Sequence, residues 1–195
     1  MLVQQMVNYT RQFYTINEFK VHSFMQNLEA ANTLDHLIYK KEIPSCIIVG
    51  IHHVDRFAEL TYNDQMNAFL IEELLPWIAE NYRVEQKSNH ITIAGLSLGG
   101  LTAMYAAIQY PYTFGNVLSL SGSVHWKKEN HEETSHWIEQ QIQRSSKLPL
   151  NIYMTAGTLE NEPLLEANRS LYRALREKEY KTTYYEFQGG HDEIW

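Results

Sequence analysis

A mostly parallel α/β sheet with helices on both faces is the fold class this sequence predicts, as one domain over residues 1–195. Three observations predict it. Short β-branched or apolar runs recur along the chain. Amphipathic stretches of helical length separate them. The 195 residues suffice for one sizeable core and not for two.

The elements follow in order. Leu28, Ala31, Leu34, Leu37 and Ile38 share one face of a first helix. Residues 46–50 read as a buried strand. Met66, Phe69, Leu70, Leu74, Trp77 and Ile78 share the face of a second helix, behind a cap at Asn63 or Asp64. Residues 91–94 form a strand, and 98–110 an Ala- and Leu-rich helix stopped by Pro111. Strands at 117–120 and 151–155 come next. The helix 164–179, carrying Leu165, Leu171, Tyr172 and Leu175, leads to a last strand at 182–187. Strands alternating with helices of this length imply a parallel sheet, whose sites form beyond the carboxyl ends of the strands.

Composition narrows the function classes. Hydrophobic residues make up 44% and charged ones 20%, as in a globular protein. The net charge of −7 and the lack of a basic run argue against nucleic acid, which is held by clustered Lys and Arg. Cys46, the single cysteine, allows no internal disulfide and lies in an apolar run as a buried thiol. The first residues carry no basic and apolar leader, and the apolar runs are too short to span a bilayer. A cytoplasmic protein without membrane contact is expected.

Gly95-Leu96-Ser97-Leu98-Gly99 is a G-x-S-x-G motif. A Gly-rich turn that happens to hold a serine is its plain alternative. Its position between a strand and a helix favours chemistry: a serine at so sharp a turn exposes its hydroxyl, and glycines two residues away leave room for the bend. Gly100 permits further close packing. The N–H of Leu98, at a helix N-terminus, points toward a developing oxyanion.

A serine hydroxyl needs a base. Of the nine histidines, His125, His131, His136 and His191 follow Ser97. His191 comes after a strand and the pair Gly189-Gly190, on a loop at a carboxyl end; the other three lie in a polar segment and read as solvated. The acid should fall between serine and histidine in the chain. No aspartate does: Asp35, Asp55 and Asp64 precede Ser97, and Asp192 follows His191. Glu160, just beyond a strand, is best placed, with Glu162 its competitor and a dyad without an acid the remaining alternative.

Metal sites are not expected. His131-Glu132-Glu133-Thr134-Ser135-His136 spaces its histidines by five, off one helix face. His52 and His53 are neighbours that point apart if extended and lack a third ligand. No phosphate-binding loop is present, and no cofactor is expected.

These residues bring a family into view. Ala94 to Leu101 resembles the nucleophile elbow of the enterochelin-esterase-like, or esterase-D-like, hydrolases. Phe114-Gly115-Asn116-Val117 with Ser119-Leu120-Ser121-Gly122-Ser123 is similar to the next strand and loop of that family. Ala156 to Glu160 resembles its acid loop, and Glu186 to Asp192 with Trp195 its histidine loop. The likeness covers most of the chain from about Ile43. It implies an α/β-hydrolase three-layer sandwich and hydrolysis of a small-molecule carboxylic ester through an acyl-enzyme, siderophore trilactones among the substrates. The loop from Gly50 to Arg56 with Glu59 looks like a family loop near the site, where Arg56 would contact an anionic substrate or form a surface ion pair. Residues 124–147 resemble an insert over the site, with Trp126 lining a pocket or packing on a helix.

The resemblance has two departures. Family members carry more strands before this start, including a central one whose following loop gives the second oxyanion donor. Residues 1–7 would keep only its end, with Gln4 or Gln5 as donor. The chain also stops at Trp195, where the family continues into a last helix. Two rivals therefore stand beside the hydrolase: an acyltransferase, and a non-catalytic binding domain.

Overall fold

The computed structural model describes residues 3–4 and 11–16 through their backbone, and 30–127 and 136–191. Gln5, Leu28, His131, Asp192 and Trp195 lie outside the described residues.

Seven strands form one sheet: β1 (Val3–Gln4), β2 (Arg11–Ile16), β3 (Cys46–Ile51), β4 (Ile91–Leu96), β5 (Asn116–Leu120), β6 (Asn151–Gly157) and β7 (Lys181–Phe187). Their order is β1-β3-β2-β4-β5-β6-β7. Every pairing is parallel except that of β1 with β3. The five strands expected from the sequence are all present, each extended by one or two residues.

One central strand lies elsewhere than expected. The neighbour of the nucleophile strand is β2, at Arg11–Ile16, with Ile16 opposite Gly95 and Ile51. Residues 3–4 instead form the antiparallel edge, Gln4 opposite Ile48. Two strands then separate Gln4 from β4, about 14 Å at ~4.8 Å per strand. The backbone of Gln4 is therefore remote from Ser97.

The helices are α1 (Ala30–Tyr39), α2 (Arg56–Leu60), α3 (Asp64–Ala68), α4 (Leu75–Asn81), α5 (Leu98–Gln109), α6 (Trp137–Arg144) and α7 (Glu162–Glu177). The step from β2 out to β3 runs opposite to the later steps, so right-handed crossovers put α1 on one face and α2–α7 on the other. On α1 the half-buried side is Ala31, Leu34, Leu37 and Ile38, as the spacing predicts.

Between α3 and α4, Phe69–Leu74 is π-helical. Two features of the sequence account for this. Met66, Leu70, Leu74 and Ile78 are buried at intervals of four, wider than the 3.6 residues of an α-turn. Pro76 in the next turn lacks the N–H an α-helix would use. The wider turn keeps all four side chains on the sheet; Trp77, expected on the same face, is left at its rim, 37% exposed. Asn63 caps this unit, its side chain accepting from Gln65 N and Met66 N at 2.7 and 3.1 Å.

The core lies between the sheet and this helical layer. Ile47, Val49, Ile93, Val117, Ile152 and Met154 meet Leu101, Met104, Ile142 and Leu175, all buried. Each such side chain contributes about 1.5–3 kcal/mol over exposure. Thr102 Oγ1 donates to the carbonyl of Leu60 at 2.8 Å, tying α2 to α5. Tyr62, Tyr105 and Trp137 meet edge to face with centroids 5.3–5.4 Å apart. Through Trp137, Ile138 and Ile142, α6 is anchored in the main core. On the opposite face of the sheet, Tyr153 and Tyr185 lie exposed at β6 and β7.

Candidate active site

β4 delivers the chain into the sharp turn that the G-x-S-x-G pattern predicts. Ser97 has φ 57° and ψ −120°, and α5 begins at the next residue. A non-glycine residue at positive φ costs of order 1–3 kcal/mol and persists only when its surroundings hold it. Three hydrogen bonds hold this one: Ser97 N–H donates to Leu120 O at 2.9 Å, and Ser97 O accepts from Leu101 N at 3.1 Å and Ser123 N at 2.9 Å. Gly100 is the close approach. A Cβ there would lie 2.8 Å from Ser119 Oγ and 3.0 Å from Gly122 Cα.

Three strand ends converge here. Ser97 Oγ lies 2.8 Å from His191 Nε2, and His191 Nδ1 lies 2.6 Å from Glu160 Oε2. Glu160 Oε1 also accepts from Gly157 N at 3.2 Å. The Glu160 side chain is fully buried, and that of His191 keeps 34% exposure. Burial pushes the Glu160 carboxyl up. Hydrogen bonds from His191 and the Gly157 N–H, with the charge of His191, outweigh it and hold the group below the usual carboxylate range. The ionised carboxylate only accepts, so Nδ1 carries the proton that joins them. In the neutral imidazole Nε2 is then an acceptor, and the Ser97 hydroxyl donates to it.

The acid and histidine loops are stitched together by backbone. Thr158 N donates to Phe187 O at 2.8 Å and Leu159 N to Gly189 O at 2.9 Å. A Cβ on Gly157 would meet Gly189 O at 2.3 Å, so that position requires glycine. Glu162 stands apart, exposed in the first turn of α7, where its charge suits the helix N-terminus. Between the two glutamates, the geometry favours Glu160.

The remaining predicted residues divide. Leu98 opens α5 beside Ser97. Arg56 opens α2, its guanidinium 5.0 Å from the Phe57 ring centroid. Phe57 in turn meets Trp126 with centroids 5.6 Å apart. Arg56 and Trp126 thus belong to one aromatic and cationic ledge, with Phe57 and Trp126 partly exposed. Trp126 N donates to Ser123 O at 3.0 Å, which joins the ledge to the turn touching Ser97.

Two expectations about histidines are corrected. His125, expected to be solvated, is half-buried; burial lowers its pKa, as does the charge of His191, with Glu160 opposing. His52 and His53, expected to point apart, stack with centroids 5.8 Å apart. Among the described residues no three His, Cys, Asp or Glu side chains converge on a metal position. Cys46 is half-buried rather than fully buried, its thiol pushed up by burial and by Asp35.

Sequence reasoning gave no role to Ser121, Ser123 or Phe57. The two serines stand in a loop with no chemical motif of its own, and the contact that brings Phe57 to Trp126 spans 69 positions.

Comparison with known proteins decides the family. The Esterase family model matches residues 13–195. The chain belongs to the Esterase family. An iron(III) enterobactin esterase of Escherichia coli is 30% identical over 173 residues, covering 87% of this chain and 43% of that protein. The ferri-bacillibactin esterase BesA of Bacillus subtilis is 32% identical over 131 residues, 63% of this chain and 44% of that protein. The crystal structure of the enterobactin esterase FES from Shigella flexneri in the presence of enterobactin superposes with a TM-score of 0.81 at 26% identity, covering 95% of this chain and 48% of that one. The chain thus spans less than half the length of these relatives. The α/β-hydrolase fold and the enterochelin-esterase-like kinship expected from the sequence both hold. No helix among the described residues is long and apolar enough to cross a membrane.

Proposed function

We propose that this chain hydrolyses carboxylic esters through Ser97, His191 and Glu160, and that its substrates include trilactone siderophores. The observation that carries the reading is the continuous run of hydrogen bonds from Glu160 through His191 to Ser97 Oγ at 2.6 and 2.8 Å.

The chemistry follows from the proton positions. Ser97 Oγ attacks the ester carbonyl while its proton passes to His191 Nε2. Glu160 holds the imidazole by Nδ1–H and stabilises the imidazolium. The Leu98 N–H is one donor to the oxyanion. The tetrahedral intermediate then expels the alkoxide, which takes the proton from Nε2 and leaves an acyl-Ser97. Water, deprotonated by the same nitrogen, attacks this acyl group; the acyl–Oγ bond then breaks, the carboxylic acid leaves, and Nε2 returns the proton to Ser97 Oγ.

Named relatives that act on enterobactin and bacillibactin support the trilactone class. Arg56 supplies a cation for an anionic siderophore beside the aromatic faces of Phe57 and Trp126. The test is a panel of neutral aryl esters and a trilactone, assayed with wild type and Arg56→Ala. Hydrolysis of both classes by wild type is expected, with KM for the trilactone raised about tenfold or more in the variant and KM for the neutral ester little changed. No turnover of any ester by the folded chain contradicts the hydrolase. Turnover of aryl esters alone contradicts the trilactone assignment.

A further inference from the structure

Ser97 Oγ has a second neighbour besides His191. Ser123 Oγ lies 3.2 Å away, in a buried position. The direction of this contact follows from the protons already placed. Ser97 has one hydroxyl hydrogen, directed to Nε2, so its oxygen can only accept from Ser123. We propose that Ser123 is a positioning residue for the nucleophile: its hydroxyl donates to Ser97 Oγ and holds it on the line toward His191 Nε2. This rests on the serine-hydrolase reading above.

The local structure supports the assignment. Ser121 leaves β5 at φ 44° and donates its N–H to Thr155 O at 2.8 Å. Gly122 follows, where a Cβ would lie 2.2 Å from Ser119 Oγ. Its carbonyl accepts from Asn168 Nδ2 at 2.8 Å; Asn168 is fully buried on α7 and also donates to Leu164 O at 2.9 Å. Ser123 then donates its own N–H to Ser97 O at 2.9 Å. The turn therefore grips Ser97 by backbone and by side chain, and Asn168 fixes the turn to a helix. When Ser97 attacks, its proton goes to Nε2 and its oxygen bonds to the carbonyl carbon. Ser123 keeps its own proton throughout. Its donated hydrogen bond restrains the Ser97 rotamer before attack and adds no group to the reaction.

The experiment compares wild type, Ser123→Ala and Ser123→Thr in ester hydrolysis across pH, and in the rate of covalent labelling by a fluorophosphonate. Ser123→Ala removes one neutral hydrogen bond, so kcat and the labelling rate should each fall about three- to tenfold. KM and the acid limb of the pH profile should stay, because the ester contacts and His191 are untouched. Ser123→Thr restores the hydroxyl and should recover most of the loss. A thermal midpoint of Ser123→Ala close to wild type excludes general unfolding. Wild-type kcat and labelling rate in Ser123→Ala overturn the proposal, as does loss through KM alone. If wild type itself is not labelled at Ser97, the hydrolase reading fails first, and the two failures are distinct.

Discussion

Glu160 is the residue on which the charge of the site turns. Its carboxylate is buried and kept ionised by hydrogen bonds, so replacing it with an amide removes the charge that stabilises an imidazolium and presents a donor to Nδ1. Glu160→Gln should lower kcat by on the order of 10⁴-fold with KM little changed, measured on an aryl ester; a loss below about tenfold would show that the acid is dispensable. Gly157→Ala should act at a distance. The added methyl displaces Gly189 O, and with it the loop that carries His191. Activity should fall while the core keeps its thermal midpoint within a few degrees. At this scale the sequence was most informative. The turn motif marks Ser97, the loop after the last strand marks His191, and the absence of aspartate between them leaves a glutamate. Ser123 was not legible because its hydroxyl reaches Ser97 across 26 positions, a contact that only the juxtaposition of β4 and β5 creates.

At the scale of elements, helix α3 and its π-helical continuation show local rules and packing acting together. Asn63 satisfies two N–H groups at the start, and Asn63→Ala should cost about 1 kcal/mol in chemical denaturation. Ile78, fully buried, should cost about 2–5 kcal/mol as alanine. The shared apolar face from Met66 to Ile78 announces this helix but not its π turn, which arises where burial every four residues meets Pro76. Strand β2 is not among the expected strands, although Phe13-Tyr14-Thr15-Ile16 is a run of strong strand formers. The run is short and preceded by Arg11 and Gln12, so it carries no alternation by itself. Its central place comes from pairing on both sides, with β3 and β4, which are separated from it by tens of residues.

Across the whole molecule, parallel strands bring Ser97, Glu160 and His191 together beyond their carboxyl ends although 94 positions separate the first from the last. The same arrangement makes stability depend on acid. A hydrogen bond from Arg169 lowers the Glu186 carboxyl, as hydrogen bonds lower that of Glu160. Both groups titrate lower in the folded chain than in the unfolded one. Their stabilisation is therefore full above about 4.5, the ordinary value, and is lost as pH falls through the lowered folded values. The urea midpoints of wild type and Glu186→Gln should differ at neutral pH and converge in acid; a gap that stays constant would contradict the Arg169 pairing.

The central claim is that this fold activates Ser97. Its most direct test is to treat the folded protein with a fluorophosphonate, beside Ser97→Ala, and to locate the label by peptide mass spectrometry. A single labelled peptide containing Ser97, absent from the variant, is expected. A folded wild type that stays unlabelled, or one labelled equally in the variant, would contradict it.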